Sequence, residues 1–194
     1  ERELDRIDQE GIVVGGGMFA AKKIKVNTKK LDIKKTHASE VIEMGEAPGQ
    51  AIRKKKNSSI VLSVNAVVTG SSDAVVAAGS TGAAMGASLF GLGRLHGIER
   101  PAIATVLPTM KGPLVLMDSG ANTDCTPEML YQFGIMGSTY AKSVLGIENP
   151  RVALLNIGEE AGKGDELAKD TYKIFDENKD KLNFIGNAEG KEIF

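Results

Sequence analysis

Three short segments of this 194-residue chain concentrate groups suited to holding an anion. Gly79-Ser80-Thr81-Gly82 sets two hydroxyls between two glycines, so backbone N–H groups can point into one small volume. A helix starting just after it would add its positive end, which makes a phosphate cradle. An ordinary strand-to-helix turn with a Ser or Thr cap explains the same four residues. Asp118-Ser119-Gly120-Ala121-Asn122-Thr123-Asp124-Cys125 is dense in polar groups directly after an apolar run. There the Asn122 amide could hold a carbonyl or phosphate oxygen, and Asp118 could orient a cation or a proton donor. The third segment runs from Asn156 through Gly158 to Lys163 and Gly164, where a lysine between glycines could reach a phosphate oxygen as a point charge. A mobile surface lysine is its plain alternative. Arg53-Lys54-Lys55-Lys56, followed by Asn57-Ser58, could likewise present cations and a helix N-terminus to an anion.

Other chemistries find less support. No Gly-Lys-Ser/Thr follows a glycine at the Walker spacing, and Gly15-Gly16-Gly17 lacks the dinucleotide-binding spacing. The carboxylates near Asp118 and Asp124 have no convincing third partner for a hard metal, so no metal or cofactor is expected. Cys125 is the single cysteine, and neither His37 nor His96 lies in a motif that would activate it, so it is read as structural or incidental.

The elements that must position these segments follow from apolar patterning. Short apolar runs at residues 11–17, 33–38, 73–78, 103–107, 113–117, 152–155 and 183–185 predict strands, several ending in a polar glycine-bearing loop. Helices are expected over 47–56, over 60–68 behind a Ser58-Ser59 cap, and over 83–92, whose small residues suit close packing against a sheet. Pro127 opens a further helix reaching about Leu145 and closing on Gly146, and another spans about 165–176. Strands alternating with helices predict an α/β fold with a three-layer parallel or mixed sheet. In such sheets ligands sit outside the carboxyl ends of the strands, where the three polar segments fall.

Composition narrows the field. A hydrophobic content of 42%, charged content of 25% and net charge of -1 with one Cys exclude a disulfide scaffold, a disordered chain and a strongly basic nucleic-acid binder. No apolar run approaches the roughly 20 residues of a membrane span. Residues 1–60 carry 13 Lys and Arg against 9 Asp and Glu, while 61–194 carry 11 against 16. That basic excess is a solvated face or a patch that steers an anionic partner. Gly, at 23 residues, exceeds the usual proportion of roughly 7%, largely because strand ends and helix starts use it.

Taken as one colinear series, these segments resemble the bacterial phosphate acyltransferase of fatty acid and phospholipid synthesis, the PlsX family. The series comprises Glu40-Val41-Ile42-Glu43-Met44, Arg53 through Ser59, Ala78 through Ala83, Gly97-Ile98-Glu99-Arg100-Pro101-Ala102, Leu107-Pro108-Thr109, Asp118 through Cys125, Leu155 through Glu160, Lys163-Gly164 and Asn183 through Gly190. It covers residues 36–194. The resemblance implies transfer of a long acyl group from acyl carrier protein to inorganic phosphate, giving acyl phosphate, with no cofactor. It also implies a fold similar to the isocitrate and isopropylmalate dehydrogenases and to phosphotransacetylase. A cytoplasmic homodimer with reversible peripheral membrane contact, through a segment beyond Phe194, completes the expectation. On the matching positions, Asn122, Lys163 and Asp118 are the candidate catalytic residues. Gly79, Ser80, Thr81, Gly82, Lys55, Ser58, Asn156 and Gly158 are the candidate phosphate-binding residues.

Family members are longer, open with an Asp-Ala-Met-Gly-Gly-Asp loop that this chain lacks, and typically carry Asn where Ser80 stands. The chain is therefore read as a single incomplete α/β domain, 1–194, lacking both ends, and little or no acyl transfer is expected from it alone. A phosphotransacetylase-like enzyme using an acyl-CoA and a non-catalytic carrier-binding fragment are the alternatives.

Overall fold

The computed structural model describes residues 36–194, which form a mixed α/β chain of several helices and two small sheets. The strand expected over 11–17 and most of that over 33–38 lie outside the described residues, and 36–38 are not in a strand. The chain divides after Arg94 into two compact units.

Among the described residues the first unit holds three helices: α1 (Pro48–Lys54), α2 (Ser59–Val68) and α3 (Thr81–Gly91). α1 starts on a proline at its first turn, where the missing N–H costs no intrahelical bond. α3 is rich in small residues, and its glycines mark where it meets its neighbours. A Cβ at Gly82 would lie 2.8 Å from Pro48 Cγ, and one at Gly86 2.6 Å from Ile52 Cδ1. At Gly91 the same atom would come within 2.8 Å of Val64 Cγ1. The stripe expected to face a sheet therefore packs on helices α1 and α2. Ile52, Ile60, Val61, Val64, Ala83 and Ala87 form the resulting apolar core. Residues 73–78, expected as a strand, contain a single bridge residue, Val76. Val76 is 71% exposed, so among the described residues nothing covers its side chain as a sheet interior would.

The second unit begins with a hairpin of β1 (Thr105–Thr109) and β2 (Gly112–Leu116). Only Met110 and Lys111 separate the Thr109–Gly112 pair, and a two-residue link can join strands only in antiparallel fashion. This turn overrides the parallel arrangement suggested by the apolar runs. Helix α4 (Pro127–Ser143) follows, capped by the Thr126 hydroxyl, which accepts from the Met129 N–H at 3.3 Å. Its exit turns through Gly146, at φ 69°.

A β–α–β crossover completes the unit. β3 (Val152–Leu155) pairs in parallel with β4 (Phe184–Ala188) across α5 (Glu166–Glu177) and the short α6 (Lys179–Leu182). Asp165 caps α5 by accepting from the Ala168 N–H at 2.8 Å. The short α6 and a 3-10 turn at Gly190–Glu192 are elements that sequence periodicity missed, because three or four residues carry too little pattern.

Packing of the crossover centres on Phe175, 3% exposed, which stacks on Phe184 at 5.0 Å and meets Tyr131 edge-on at 5.7 Å. α4 can approach it only through a glycine. A Cβ at Gly134 would stand 2.6 Å from Phe175 Cε1 and 3.2 Å from Leu182 Cδ2. Gly134→Ala would gain up to about 1 kcal/mol of helix propensity, against an overpacking cost of about 1–3 kcal/mol. The substitution should therefore lower stability by about 1–2 kcal/mol, read as an earlier midpoint in urea. An unchanged or later midpoint would show that α4 and α5 can separate freely.

Candidate functional site

In the first unit, the Gly79–Gly82 segment becomes the N-terminal turn of α3. Ser80 is the cap residue, and its Oγ accepts from the Ala83 N–H at 3.3 Å while its carbonyl accepts from the Ala84 N–H at 2.9 Å. Thr81 and Gly82 occupy the first positions of the helix, where amide N–H groups precede the first intrahelical bond. Thr81 and Gly79 are exposed, whereas Ser80 is buried. The arrangement is a hydroxyl cap at the start of an 11-residue helix, the plainer of the two sequence alternatives.

Within the basic run, Lys55 is engaged internally, whereas Arg53, Lys54 and Lys56 are exposed. Lys55 Nζ donates to the Val41 carbonyl at 2.7 Å and forms a close ion pair with Glu46 Oε1. The Glu43 N–H and Lys55 together hold the Glu46 carboxyl below its ordinary pKa, the backbone donor contributing most. Arg53 lies 5.7 Å from the centre of the Phe90 ring. Ser58 is fully buried, and its Oγ meets no hydrogen-bond partner. It stands at the cap position of α2 without capping it through the side chain, contrary to the sequence expectation.

In the second unit, Asp118 binds together the loop after β2. Its Oδ1 accepts from the Ile103 N–H at 2.7 Å. Its Oδ2 accepts from the N–H groups of Ala121 and Asn122 at 2.9 and 2.7 Å, and from Asn122 Nδ2 at 3.3 Å. Asn122 Nδ2 also donates to the Pro101 carbonyl at 2.9 Å. Both protons of that amide are thereby used, so any ligand contact at this side chain falls to the amide oxygen. Cys125 stands close by. Partial burial, and next the Asp118 charge, push its thiol above the ordinary range, opposite to the shift an activated nucleophile needs.

The segment after β3 folds back on itself at the carboxyl ends of the parallel pair. The Asn156 N–H donates to the Ala188 carbonyl at 2.9 Å, joining the two strand ends. Asn156 Oδ1 accepts from the Ile157 N–H at 2.8 Å, and Nδ2 donates to the Lys163 carbonyl at 3.0 Å. Gly158 is buried, and a Cβ there would lie 2.8 Å from Lys163 Cγ, so the lysine stem crosses directly over it. The Lys163 head remains half exposed, with Glu160 Oε2 at 3.9 Å. Asn156, Gly158 and Lys163 are therefore brought together by one loop. Among the described residues no group of three or more His, Cys, Asp or Glu could hold a metal ion.

A shallow concavity along the β1–β2 hairpin is lined by Val106, Leu107, Pro108, Thr109, Gly112 and Pro113. It contains no titratable side chain and is not where the polar loops lie. One functional candidate escaped the sequence-based selection. Asn187, at the end of β4, donates to the Glu160 carbonyl at 2.9 Å. Its only sequence signal was its place in the run Asn183 to Gly190.

These features define an α/β protein in which one glycine-bearing polar loop, that of Asn156 to Gly164, lies at the carboxyl ends of a parallel strand pair, the usual place for ligands in this class. The Asp118 loop follows an antiparallel hairpin, and Gly79–Gly82 follows no strand among the described residues. A profile described as "Fatty acid synthesis protein" matches residues 6–194. A phosphate acyltransferase from Desulfitobacterium hafniense is 50% identical over 192 residues, covering 99% of this chain and 57% of its own length. Another, from Desulforamulus reducens, is 56% identical over 158 residues, covering 81% of this chain and 47% of its own. The chain belongs to the fatty acid synthesis protein family, the PlsX family of bacterial phosphate acyltransferases. It spans about half the length of the curated relatives it matches. Among solved structures, the EutD phosphotransacetylase from Staphylococcus aureus superposes with a TM-score of 0.56 at 17% identity. That match covers 86% of this chain and 55% of the other, and shows a shared fold.

Two outcomes follow from this geometry. Asp118→Ala strands three backbone donors and should cost about 2–4 kcal/mol in urea unfolding, while a loss near zero would mean that water replaces the carboxylate fully. Cys125 should react with iodoacetamide at neutral pH more slowly than an unstructured cysteine peptide, speeding up only above the ordinary thiol range. Equal rates at pH 7 would show that its thiol is not held up by burial and Asp118.

Proposed function

We propose that the protein of which this chain forms part moves a long-chain acyl group from acyl carrier protein to inorganic phosphate. The observation that carries this reading is the 50–56% identity to proteins named phosphate acyltransferase. A phosphate oxygen attacks the thioester carbonyl, a carbon–oxygen bond forms, and the carbon–sulfur bond breaks. The carrier's thiolate leaves and takes up a proton, and acyl phosphate is the product. Phosphate is already a nucleophile at neutral pH, so the protein need only hold it, align it and stabilise the oxyanion. No side chain has to form a covalent intermediate, and the raised Cys125 thiol is consistent with that.

Lys163 is the proposed phosphate cation, supported by its half-exposed head over buried Gly158 and beside Asn156. Within the first unit, the amides of Gly79, Ser80, Thr81 and Gly82 are proposed as phosphate donors, supported by their place at the start of α3. Lys55 and Ser58 support the turn before α2, where the Ser58 N–H donates to the Lys55 carbonyl at 3.2 Å. Asn122 and Asp118 are proposed to fix the loop that borders the acyl group, since the amide protons of Asn122 are donated within that loop and cannot hold the carbonyl oxygen. On this reading the fold is similar to that of the isocitrate and isopropylmalate dehydrogenases. The protein works as a cytoplasmic homodimer, touching the membrane reversibly. Among the described residues no helix is long and apolar enough to cross a membrane.

The test uses a chimera in which residues 36–194 replace the matching segment of the Desulfitobacterium hafniense enzyme. It should form hydroxylamine-trappable acyl phosphate from a long-chain acyl carrier thioester, and Lys163→Ala should raise its KM for phosphate about tenfold or more. A preference for acetyl-CoA would favour a phosphotransacetylase, the activity named for the structural neighbour. Carrier binding without transfer would favour a docking fragment, and unchanged turnover and KM in Lys163→Ala would remove that lysine from the site.

A further inference from the structure

Asn187 is placed by an irregularity in β4. Val152 pairs with Phe184, but Leu154 pairs with Asn187 and Leu155 with Ala188, so β4 has gained one residue against β3. Gly186, at φ 103°, lies within that extra stretch, in a conformation glycine adopts without steric cost. Because side chains alternate along a strand, a one-residue insertion turns the following residue to the other face. The bulge thereby decides which face of the strand Asn187 occupies.

The Asn187 amide is used at one end. Nδ2 donates to the Glu160 carbonyl at 2.9 Å, while Oδ1 is buried and meets no hydrogen-bond partner among the described residues. Rotating the amide by half a turn would put Oδ1 against the Glu160 carbonyl oxygen, so the observed orientation is fixed by that contact. A buried acceptor left unbonded carries a desolvation cost, which makes the donor bond the evident contribution of this side chain. The same Glu160 carbonyl accepts from the Lys163 N–H at 3.0 Å. Asn187 and the backbone of Lys163 therefore grip one oxygen from two sides. Asn156 Nδ2 holds the Lys163 carbonyl from a third direction.

We infer that Asn187 is a positioning residue that sets the Lys163 ammonium for an oxyanion such as phosphate by fixing the Glu160 carbonyl. The inference rests on the proposed phosphate role of Lys163. It adds a residue and a mechanism that the sequence motifs left unassigned. It also gives Gly186 a purpose, since without the bulge the amide would lie on the other face of the strand.

The experiment compares the chimera described above with its Asn187→Asp and Asn187→Ala variants, each with Lys163 intact and as Lys163→Ala. Asn187→Asp keeps the side-chain shape and loses the donor, so one variant remains informative if the other folds poorly. Amide hydrogen exchange is read across residues 156–164, with α4 and α5 as the control for folding, and inorganic phosphate is titrated by NMR. Loss of the donor should speed exchange at Lys163, leave α4 and α5 protected, and weaken phosphate about three- to tenfold. That weakening should vanish in the Lys163→Ala background, whereas a merely structural role would weaken both backgrounds alike. Unchanged exchange at Lys163, with phosphate still weakened by Lys163→Ala, overturns the role of Asn187 alone. Phosphate binding that is absent, or insensitive to Lys163→Ala, overturns both this inference and the phosphate role of Lys163.

Discussion

A short strand leaves backbone donors and acceptors at its ends, and once partly buried they must find partners. In the second unit Asp118, Asn156 and Asn187 are among the side chains that meet that requirement. Asp118 gathers the N–H groups of Ile103, Ala121 and Asn122, which close the loop after the hairpin. Asn156 and Asn187 close the loop after β3 through the carbonyls of Lys163 and Glu160. The polar density that first suggests a reaction centre is thus also what makes these loops rigid. A side chain offered to a ligand from such a loop arrives with its backbone already fixed, which suits reactions driven by alignment.

Close approach at glycine is the complementary constraint. Gly134 admits Phe175, Gly158 admits the stem of Lys163, and Gly82 admits Pro48, each at a distance where a Cβ would collide. The glycine excess therefore serves two purposes, turns and contacts. At Gly158 both meet, since the residue shapes the loop and leaves room for the lysine. In the first unit the contacts fall between helices, and the small-residue stripe of α3 is what lets α1 and α2 share one core.

Family membership and site geometry speak to different questions. The identity to phosphate acyltransferases extends over nearly all of the chain, and the motif series Ala78–Ala83, Asp118–Cys125 and Asn156–Lys163 carried that resemblance from the start. The geometry then sorts those residues by what they touch. The Lys163 side chain is half exposed and only loosely paired with Glu160 at 3.9 Å, while Lys55 is committed to Glu46 and to the Val41 carbonyl. Ser58 is buried, Ser80 caps a helix, and the protons of the Asn122 amide are both donated within the loop. Residue type alone could not separate these cases, because a lysine that binds a ligand and one that closes a turn look alike in a sequence.

What the sequence determined was local. Pro127 and Gly146 bracketed α4, Asp165 began α5, and the apolar run 152–155 coincided with β3, because caps, prolines and short periodicities act over a few residues. It determined the family as well, since ordered motifs survive without knowledge of their contacts. Strand direction, partners and face were decided only in the tertiary structure. The Met110-Lys111 turn made the first pair antiparallel, no paired strand formed over 73–78 among the described residues, and the Gly186 bulge reset the face of Asn187. Each depends on a pairing between residues distant in the chain or on a single backbone angle. Neither leaves a periodic trace in composition, so the residue that grips the Lys163 loop became visible only once β4 lay beside β3.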